Sequence, residues 1–312
     1  MPIKLLLAAA MLSVAAFDAA AAPLREFEPV SVPMQVTQVA AHSYYLLGQA
    51  GMVSSANQGF NANAGFVVTA DGVVVFDALG TPALGQRFAD LIATTTKQPV
   101  RRVVVSHHHA DHFYGLQAFK QPGVEVWAHD FVRDYLATDA PAARLAERRQ
   151  SLFPWVNDLT RVVAPDRFVA EDTVFKLGGL TFHVMHAGPA HTPEDLMMMV
   201  EEEGVLFVGD LMFTGRIPFV ADADVSSWIK AIDRVLEFKP RIVVGGHGPS
   251  RRTPWPIWRR HATTWPTSET RSQPRSMTAW TSTRPTGAST GLASRRCPRS
   301  TRRTGATRIR PI

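Results

Sequence analysis

The sequence predicts an α/β protein of four layers, in which two β-sheets pack face to face and helices cover their outer sides. Predicted strands come first in pairs and then alternate with helices, and this succession occurs twice along the chain. Each half can therefore build one sheet with helices on one side, which leaves one apolar face of each sheet to be buried against the other.

In the first half, two short signals support the order of the elements. Asp71-Gly72 separates two apolar runs and is a strong signal for a two-residue hairpin. Thr81 is expected to cap a helix that has Pro82 in its first turn. The predicted strands of this half are 36–39, 44–47, 65–69, 73–76, 103–105 and 124–128, and the predicted helices are 81–93, 114–120 and 131–137.

The second half begins with a β-rich block and ends with a helix and a strand. The predicted strands are 174–177, 180–185, 195–200, 205–208 and 241–244. Ser226 or Ser227 is expected to cap a helix that runs to Phe238, and Pro240 stops this helix before the last strand.

The most informative feature of the chain is a cluster of His107, His109, Asp111 and His112 directly after the apolar run 103–105. Alternate residues of an extended segment point the same way, so His107 and His109 can face one metal ion together. Asp111 and His112 come one turn later and can face a second position nearby. Imidazole suits zinc and similar ions, and a carboxylate beside it also permits harder ions.

Three further residues downstream make a solvated histidine tract a poor explanation. His191, Asp210 and His247 each lie next to an apolar, strand-like run and beside Gly or Pro. Such punctuation marks turns that bring the backbone close to a site. The chain thus offers five imidazoles and two carboxylates, which suffice for two metal ions that share a bridging ligand.

These residues, in this order, resemble the metal ligands of the metallo-β-lactamase superfamily, specifically its dinuclear hydrolase branch, over about residues 35–250. The resemblance implies an αββα sandwich, in agreement with the order of the predicted elements. It also implies a ligand set for each ion: His107, His109 and His191 for the first, Asp111, His112 and His247 for the second, and Asp210 as the bridge.

The resemblance further implies two Zn²⁺ ions, with iron or manganese as alternatives. Two ions roughly 3.5–4 Å apart can share a water and lower its pKa from about 15.7 towards ~7. A bridging hydroxide would then exist at neutral pH without a Ser or Cys nucleophile. Asp111 is the candidate catalytic residue, because a carboxylate beside that bridge can orient the hydroxide and accept its proton. The expected reaction is hydrolysis of a small ester, thioester, lactone or related carbonyl substrate.

Two alternative activities use similar ligand sets. True β-lactamases of the superfamily generally have a thiol or a non-ligand where Asp210 stands, which argues against β-lactam amide hydrolysis as the main role. Iron-dependent redox members act on persulfide-like sulfur substrates, but those with one iron can dispense with the second ligand set, which is complete here. Around His107 and His191 the sequence is similar to that of exported metallohydrolases associated with quinoprotein or sulfur-oxidation systems.

Neighbouring residues receive other roles. Asp77 ends a predicted strand, where superfamily members commonly have an acidic residue that holds the metal loop, and a plain loop cap is equally open. His108 should point away from the metal ions, and His183 and His186 are better explained as hydrogen-bonded histidines than as ligands. Ser106 is rejected as a nucleophile, because no Gly-x-Ser-x-Gly elbow surrounds it.

Residues 1–22 have the pattern of a secretory signal peptide, in which Lys4 precedes a short apolar stretch and a run of alanines ends it. This stretch is far shorter than the ~20 residues that span a bilayer. We therefore expect a periplasmic or secreted protein without stable membrane insertion. Residues 23–250, the predicted folded domain, contain no cysteine, which is compatible with an oxidising compartment.

Residues 251–312 differ in composition from the rest of the chain. Fourteen Arg and a single acidic residue, Glu269, give them a net charge of +13 and leave −7 for the remainder. The folded domain is therefore not expected to bind nucleic acid. We interpret 251–312 as a disordered tail produced by a frameshift near residues 253–255, since a shifted frame permits an acidic, amphipathic sequence. A genuine basic arm is the alternative.

Overall fold

Two β-sheets form the centre of the protein in the computed structural model, which describes residues 27–221 and 223–252. The predicted signal peptide and all but two residues of the predicted tail lie outside these ranges. The first sheet has seven strands, hydrogen-bonded in sequence order: β1 (Val36–Gln38), β2 (Ser43–Leu46), β3 (Ala64–Thr69), β4 (Gly72–Phe76), β5 (Val100–Val104), β6 (Glu125–His129) and β7 (Arg167–Val169).

The first sheet changes from antiparallel to parallel pairing at β4. Strands β1 to β4 form an antiparallel meander, whereas β4 to β7 run parallel. Parallel strands need crossover connections, and these contain five helices: α1 (Pro82–Thr95), α2 (Ala110–Phe113), α3 (Leu116–Phe119), α4 (Val132–Leu136) and α5 (Ala140–Ser151). The carboxyl ends of β4, β5 and β6 therefore meet at one edge of the sheet.

The second sheet has six strands in the order β13-β12-β11-β10-β9-β8. Their bounds are β8 (Thr173–Leu177), β9 (Leu180–His186), β10 (Leu196–Val200), β11 (Val205–Phe213), β12 (Ile242–His247) and β13 (Arg251–Arg252). Strands β11 and β12 pair in parallel, and α6 (Val225–Glu237) forms the crossover between them. The β11–β12 register is irregular around Gly209, whose φ of 51° lies in the left-handed region.

Three clusters of buried apolar side chains show the four-layer order. One lies between the sheets and includes Phe76 and Trp127 from the first sheet and Phe182 and Phe207 from the second. Another lies between the first sheet and its helices, and the third lies between the second sheet and α6. Each fully buried side chain of this size contributes roughly 1.5–3 kcal/mol, so these layers account for the sandwich. The predicted α/β class is confirmed.

Close contact between the sheets depends on a glycine in β3. The rings of Phe76 and Phe207 stack across the interface with centroids 5.7 Å apart. A Cβ at Gly65 would stand 2.2 Å from a ring carbon of Phe207, so any larger residue there would push the second sheet away.

Most predicted elements are present with shifted ends, and a few predictions were wrong. The Leu84 N–H donates to Thr81 Oγ1 at 3.1 Å, so the predicted cap of α1 is confirmed. The cap of α6 is Asp224 instead of Ser226 or Ser227, because its carboxylate accepts the Ser227 N–H at 3.0 Å.

Two elements between residues 138 and 170 were not predicted. Helix α5 is largely polar and buries only Pro141 and Leu145, so it has little apolar periodicity. Strand β7 has only three residues. The predicted helix 114–120 is present only as α3, and the preceding short helix α2 was not predicted. Gly115 separates α2 from α3, and its missing side chain leaves room for the Ala78 carbonyl oxygen, 1.8 Å from where its Cβ would lie. Within the described ranges, every helix is too short or too polar to span a bilayer.

Candidate metal centre

All seven residues that the sequence predicted as metal ligands come together at the edge of the sandwich where β5 and β12 end. They form two groups, and within each group the candidate ligand atoms lie within 4.8 Å of one another. The first ligand group is His107, His109, His191 and Asp210, and the second ligand group is Asp111, His112 and His247.

Asp210 lies between the two groups. Its Oδ2 atom is 3.2 Å from His191 Nε2 and 3.3 Å from His247 Nε2, and its Oδ1 atom is 3.1 Å from His112 Nε2. One carboxylate therefore faces histidines of both groups, as a bridging ligand must. Gly246 leaves the space for it, since a Cβ there would stand 1.9 Å from Asp210 Oδ1.

Asp77 orients one histidine of each group. Its Oδ1 accepts the Ser106 N–H at 2.7 Å, and its Oδ2 accepts both the Ser106 hydroxyl and the His112 Nδ1–H at 2.9 Å. Because the hydroxyl of Ser106 donates to Asp77, it accepts the Nδ1–H of His107, 2.9 Å away. Both histidines therefore carry their proton on Nδ1 and direct Nε2 into the site. Ser106 is buried, and its hydroxyl already donates one hydrogen bond and accepts another, which leaves it no role as a nucleophile.

The remaining ligands have orienting partners on other loops. The His191 Nδ1–H donates to the Phe219 carbonyl oxygen at 3.0 Å, which leaves its Nε2 for a metal ion. The His247 Nδ1–H donates to the main-chain oxygen of Asn61 at 2.7 Å, and the side-chain amide of Asn61 donates to Asp111 Oδ2 at 2.9 Å. Asn61 thus contacts two ligands of the second group.

Three buried atoms of the candidate ligands make no hydrogen bond of regular geometry in the described part of the chain: His107 Nε2, His112 Nε2 and Asp210 Oδ1. Leaving such an atom unpaired costs about 1–3 kcal/mol. These atoms face other candidate ligands, since His107 Nε2 lies 3.9 Å from Asp210 Oδ2 and His112 Nε2 lies 3.1 Å from Asp210 Oδ1. Nitrogen and carboxylate donors in this arrangement suit zinc, so the residues present fit a pair of metal ions.

Comparison with known proteins decides the family. A family model described as the metallo-beta-lactamase superfamily matches residues 57–247, which include all seven candidate ligands. The chain belongs to the metallo-β-lactamase superfamily. Like its relatives, it is a metal-dependent hydrolase.

Relatives of this superfamily member include hydrolases of two kinds. A metallo-β-lactamase type 2 of Elizabethkingia meningoseptica is 24% identical over 193 residues, which cover 60% of this chain and 69% of the relative. A metallo-β-lactamase type 2 of Bacillus cereus is 26% identical over 58% of this chain and 64% of its own length. A hydroxyacylglutathione hydrolase of Haemophilus influenzae is 31% identical over 153 residues, which cover 47% of this chain and 68% of the relative.

Solved structures establish the superfamily's fold for this chain. A metallo-β-lactamase from Pontibacter korlensis superposes with a TM-score of 0.57 at 24% identity, over 74% of this chain and 98% of the other. The metallo-β-lactamase FIM-1 from Pseudomonas aeruginosa, solved in a mono-zinc form, gives 0.56 at 21% identity. The predicted αββα sandwich is confirmed.

Electrostatics differ between the two ligand groups of this superfamily member. Burial lowers the pKa of His107 well below its usual range, with neighbouring His112 and His109 adding to the effect, and burial lowers the pKa of His191 to about 4. For His112, burial acts downward, but Asp210 and Asp77 outweigh it and raise the pKa well above 6.5. Without metal, His112 is therefore positively charged at neutral pH, with a proton on each ring nitrogen, whereas His107 and His191 are neutral.

Histidines outside the ligand groups have other partners. His108 points away from the site, contacts Glu194 and stacks on Tyr135 with ring centroids 3.9 Å apart. His183 pairs with Glu201 through Nε2 at 2.8 Å, and the His186 Nε2–H donates to the Pro193 carbonyl at 2.8 Å.

A cavity and an exposed apolar loop lie next to the metal centre. A cavity of about 590 Å³ lies next to His109 on the metal loop and is also lined by residues of α4 and α5. On the loop after β11, Ile217, Phe219 and Val220 expose 88%, 46% and 47% of their surface, and the Phe219 ring lies 6.0 Å from the ring of His109. The surroundings of the candidate metal centre are therefore partly apolar.

Sequence reasoning missed Asn61 and Glu194 as supporting residues of the centre. Both are buried polar side chains, 5% and 2% exposed. Asn61 does carry a local signal, because it stands with Asn63 in an otherwise apolar run before β3. Glu194 follows a proline on a loop and carries no comparable signal.

Proposed function

We propose that this chain is an exported dinuclear zinc hydrolase that acts on an ester, thioester, lactone or related carbonyl substrate. The position of Asp210 carries the proposal. A carboxylate whose two oxygens face histidines of different groups, at 3.1–3.3 Å, suits a pair of adjacent ions better than a single ion.

A bound metal pair would supply a water that is acidic enough to ionise near neutral pH and would polarise the substrate carbonyl. Asp111 is the residue of this chain that can hold that water and accept its proton. Its carboxylate is 19% exposed and is fixed by the Asn61 amide at 2.9 Å. Burial raises the pKa of Asp111, but His112 and His247 lower it by more, so the group is ionised and able to accept a proton.

The other ligands keep the centre rigid. His107, His112 and His191 are each at most 1% exposed, and each has its Nδ1 proton engaged by a named partner. Ligands that are held in this way do not need to reorganise when charge develops during the reaction. The apolar residues beside His109 would receive the apolar portion of the substrate and exclude water from it.

Hydrolysis of a β-lactam amide is the second candidate. Relatives and structural neighbours that carry the name metallo-β-lactamase support it. The carboxylate of Asp210 favours the first candidate, because true β-lactamases of the superfamily generally have a thiol or a non-ligand at this position.

Elemental analysis of the purified full chain, followed by a substrate panel, tests both candidates. We expect about two zinc ions per chain and turnover of esters, thioesters or lactones well above that of β-lactams. One ion or none per chain would contradict the dinuclear proposal. Iron together with oxygen-dependent sulfur chemistry would favour the redox alternative.

Export is also part of the proposal, and the pattern of residues 1–22 supports it. The amino-terminal residue of protein recovered from cell fractions tests it. We expect a mature chain that begins near residues 21–23 in the periplasmic or extracellular fraction. An intact Met1 in that fraction would contradict processing.

A further inference from the structure

Glu194 holds the residue that lies between two ligands of the first group. It lies on the loop between β9 and β10, three residues after His191, and is 2% exposed. Its Oε1 atom accepts the His108 N–H at 3.1 Å and also contacts His108 Nδ1 within hydrogen-bond distance. One buried carboxylate thus fixes both the main chain and the side chain of His108.

Tyr135 fixes the same side chain from a second element. Its ring, in α4, stacks on the His108 ring with an interplanar angle of 27°. Successive side chains of an extended segment point in opposite directions. Fixing His108 on one face therefore fixes the direction of His107 and His109 on the other.

The contacts of Glu194 are those of a charged carboxylate. Burial raises the pKa of Glu194, but the hydrogen bonds and charge interaction with His108 lower it by more, so its pKa lies below the usual range. Hydrogen bonds to an ionised acceptor are roughly twice as strong as neutral ones, which makes Glu194 a stiff support for the metal loop.

We propose that Glu194 is a positioning residue for the first ligand group: through His108 it sets the direction of His107 and His109, and with it the affinity of the first metal position. This inference rests on the proposed dinuclear site. The second group has separate supports, because Asn61 holds Asp111 and His247.

Glu203 provides a matched control. It is 8% exposed, and like Glu194 it accepts one main-chain N–H and one side-chain donor, from His42 at 2.6 Å and from the Ser43 hydroxyl at 2.5 Å. Neither partner belongs to a ligand group. Glu203→Gln therefore removes a comparable buried charge without touching the metal loop.

The experiment compares Glu194→Gln and Glu203→Gln in the full chain, with zinc affinity measured by competition with a chromophoric chelator and folding followed by thermal unfolding. Each substitution is also combined with one of two ligand substitutions. His247→Ala leaves the first group intact, so that the first position can be measured. His191→Ala leaves the three ligands of the second group, so that the second position can be measured. We expect Glu194→Gln to lower the affinity of the first position by roughly tenfold, the low end of the range for losing a direct partner of a ligand, because Glu194 acts through His108. The second position and both positions of Glu203→Gln should keep the affinity of their parents.

Equal losses in both backgrounds, or equal losses for Glu194→Gln and Glu203→Gln, would show a general effect on folding and overturn the proposal. If Glu194→Gln does not fold, His108→Ala replaces it: this variant removes the ring contact and keeps the N–H contact, and it should weaken the first position by a smaller factor. No change in His108→Ala would then count against the proposal. If the parent chain binds no zinc, the proposed function is wrong. If the parent binds two ions and Glu194→Gln binds both with the affinity of the parent, only this inference is wrong.

Discussion

The two ligand groups of the metal centre are prepared for metal in different ways. In the first group, His107 and His191 are neutral because burial lowers their pKa, and their Nδ1 protons go to a hydroxyl and a main-chain carbonyl. In the second group, His112 donates to the carboxylate of Asp77 and its pKa is raised despite burial, because Asp210 and Asp77 favour the charged form. The first position is thus ready for a cation at neutral pH, whereas the second must first release a proton.

Asp210→Ala should abolish the difference between the groups by damaging both. Its oxygens lie 3.1–3.3 Å from histidines of each group. We expect zinc affinity at both positions to fall by more than the roughly 10–100-fold that the loss of an outer contact costs. Elemental analysis after dialysis measures this, with His108→Ala as the comparison, which removes no candidate ligand and should lose less metal than Asp210→Ala. Equal metal loss in the two variants would be incompatible with Asp210 as the bridge.

Asp111→Asn should separate chemistry from metal content. Asn keeps the size of the side chain but cannot accept a proton, so turnover should fall by about 10²-fold or more. The fold and most of the metal content should be retained, since six candidate ligands remain unchanged. Steady-state kinetics on the best substrate of the panel, together with metal analysis, measures both quantities. Near-normal turnover at full metal content would remove Asp111 from the catalytic role.

Asp77→Asn should weaken both groups through their histidines, because Asp77 contacts His112 directly and His107 through Ser106. We expect each zinc affinity to fall by roughly 10–100-fold. Asn61→Ala is the matched comparison, since its side chain touches only Asp111 among the ligands and should weaken the second position alone. Competition titrations of both variants test this. If Asp77→Asn weakens zinc binding at only the second position, the hydrogen bonds from Asp77 through Ser106 to His107 do not contribute to zinc affinity at the first.

The candidate ligands could be predicted from the sequence because four of them lie in one six-residue segment after an apolar run. Extended geometry alone places His107 and His109 on one side, and the other three residues are marked by neighbouring Gly or Pro. The supports of the site could not be predicted in this way. Asn61 reaches Asp111 across 50 residues and Glu194 reaches His108 across 86, so only the pairing of distant strands and loops brings them together.

The fold shows the same division between local and distant information. The predicted hairpin and the Thr81 cap are local, and both are present in the structure, although the two turn residues are Ala70 and Asp71 instead of Asp71 and Gly72. Helix α5 has no apolar stripe for a pattern to reveal, since it is mostly polar and buries two residues. Its position could be known only after α4 had placed it beside His108 and His109.

The pH dependence of zinc binding should distinguish the two positions without a substitution in the ligand group that is being measured. Histidine must lose its proton to bind metal. With the pKa of His112 raised above 6.5, affinity at the second position should increase by about tenfold per pH unit between about pH 6 and the raised pKa, because one proton is displaced for each ion bound. At the first position His107 and His191 are already neutral, the latter down to a pKa of about 4, so these two ligands should add little pH dependence and the slope should be smaller over the same interval. Chelator competition at several pH values, with His191→Ala to isolate the second position and His247→Ala to isolate the first, measures both slopes. Parallel slopes for the two positions would show that the groups share one protonation state, and the distinction between them would be wrong.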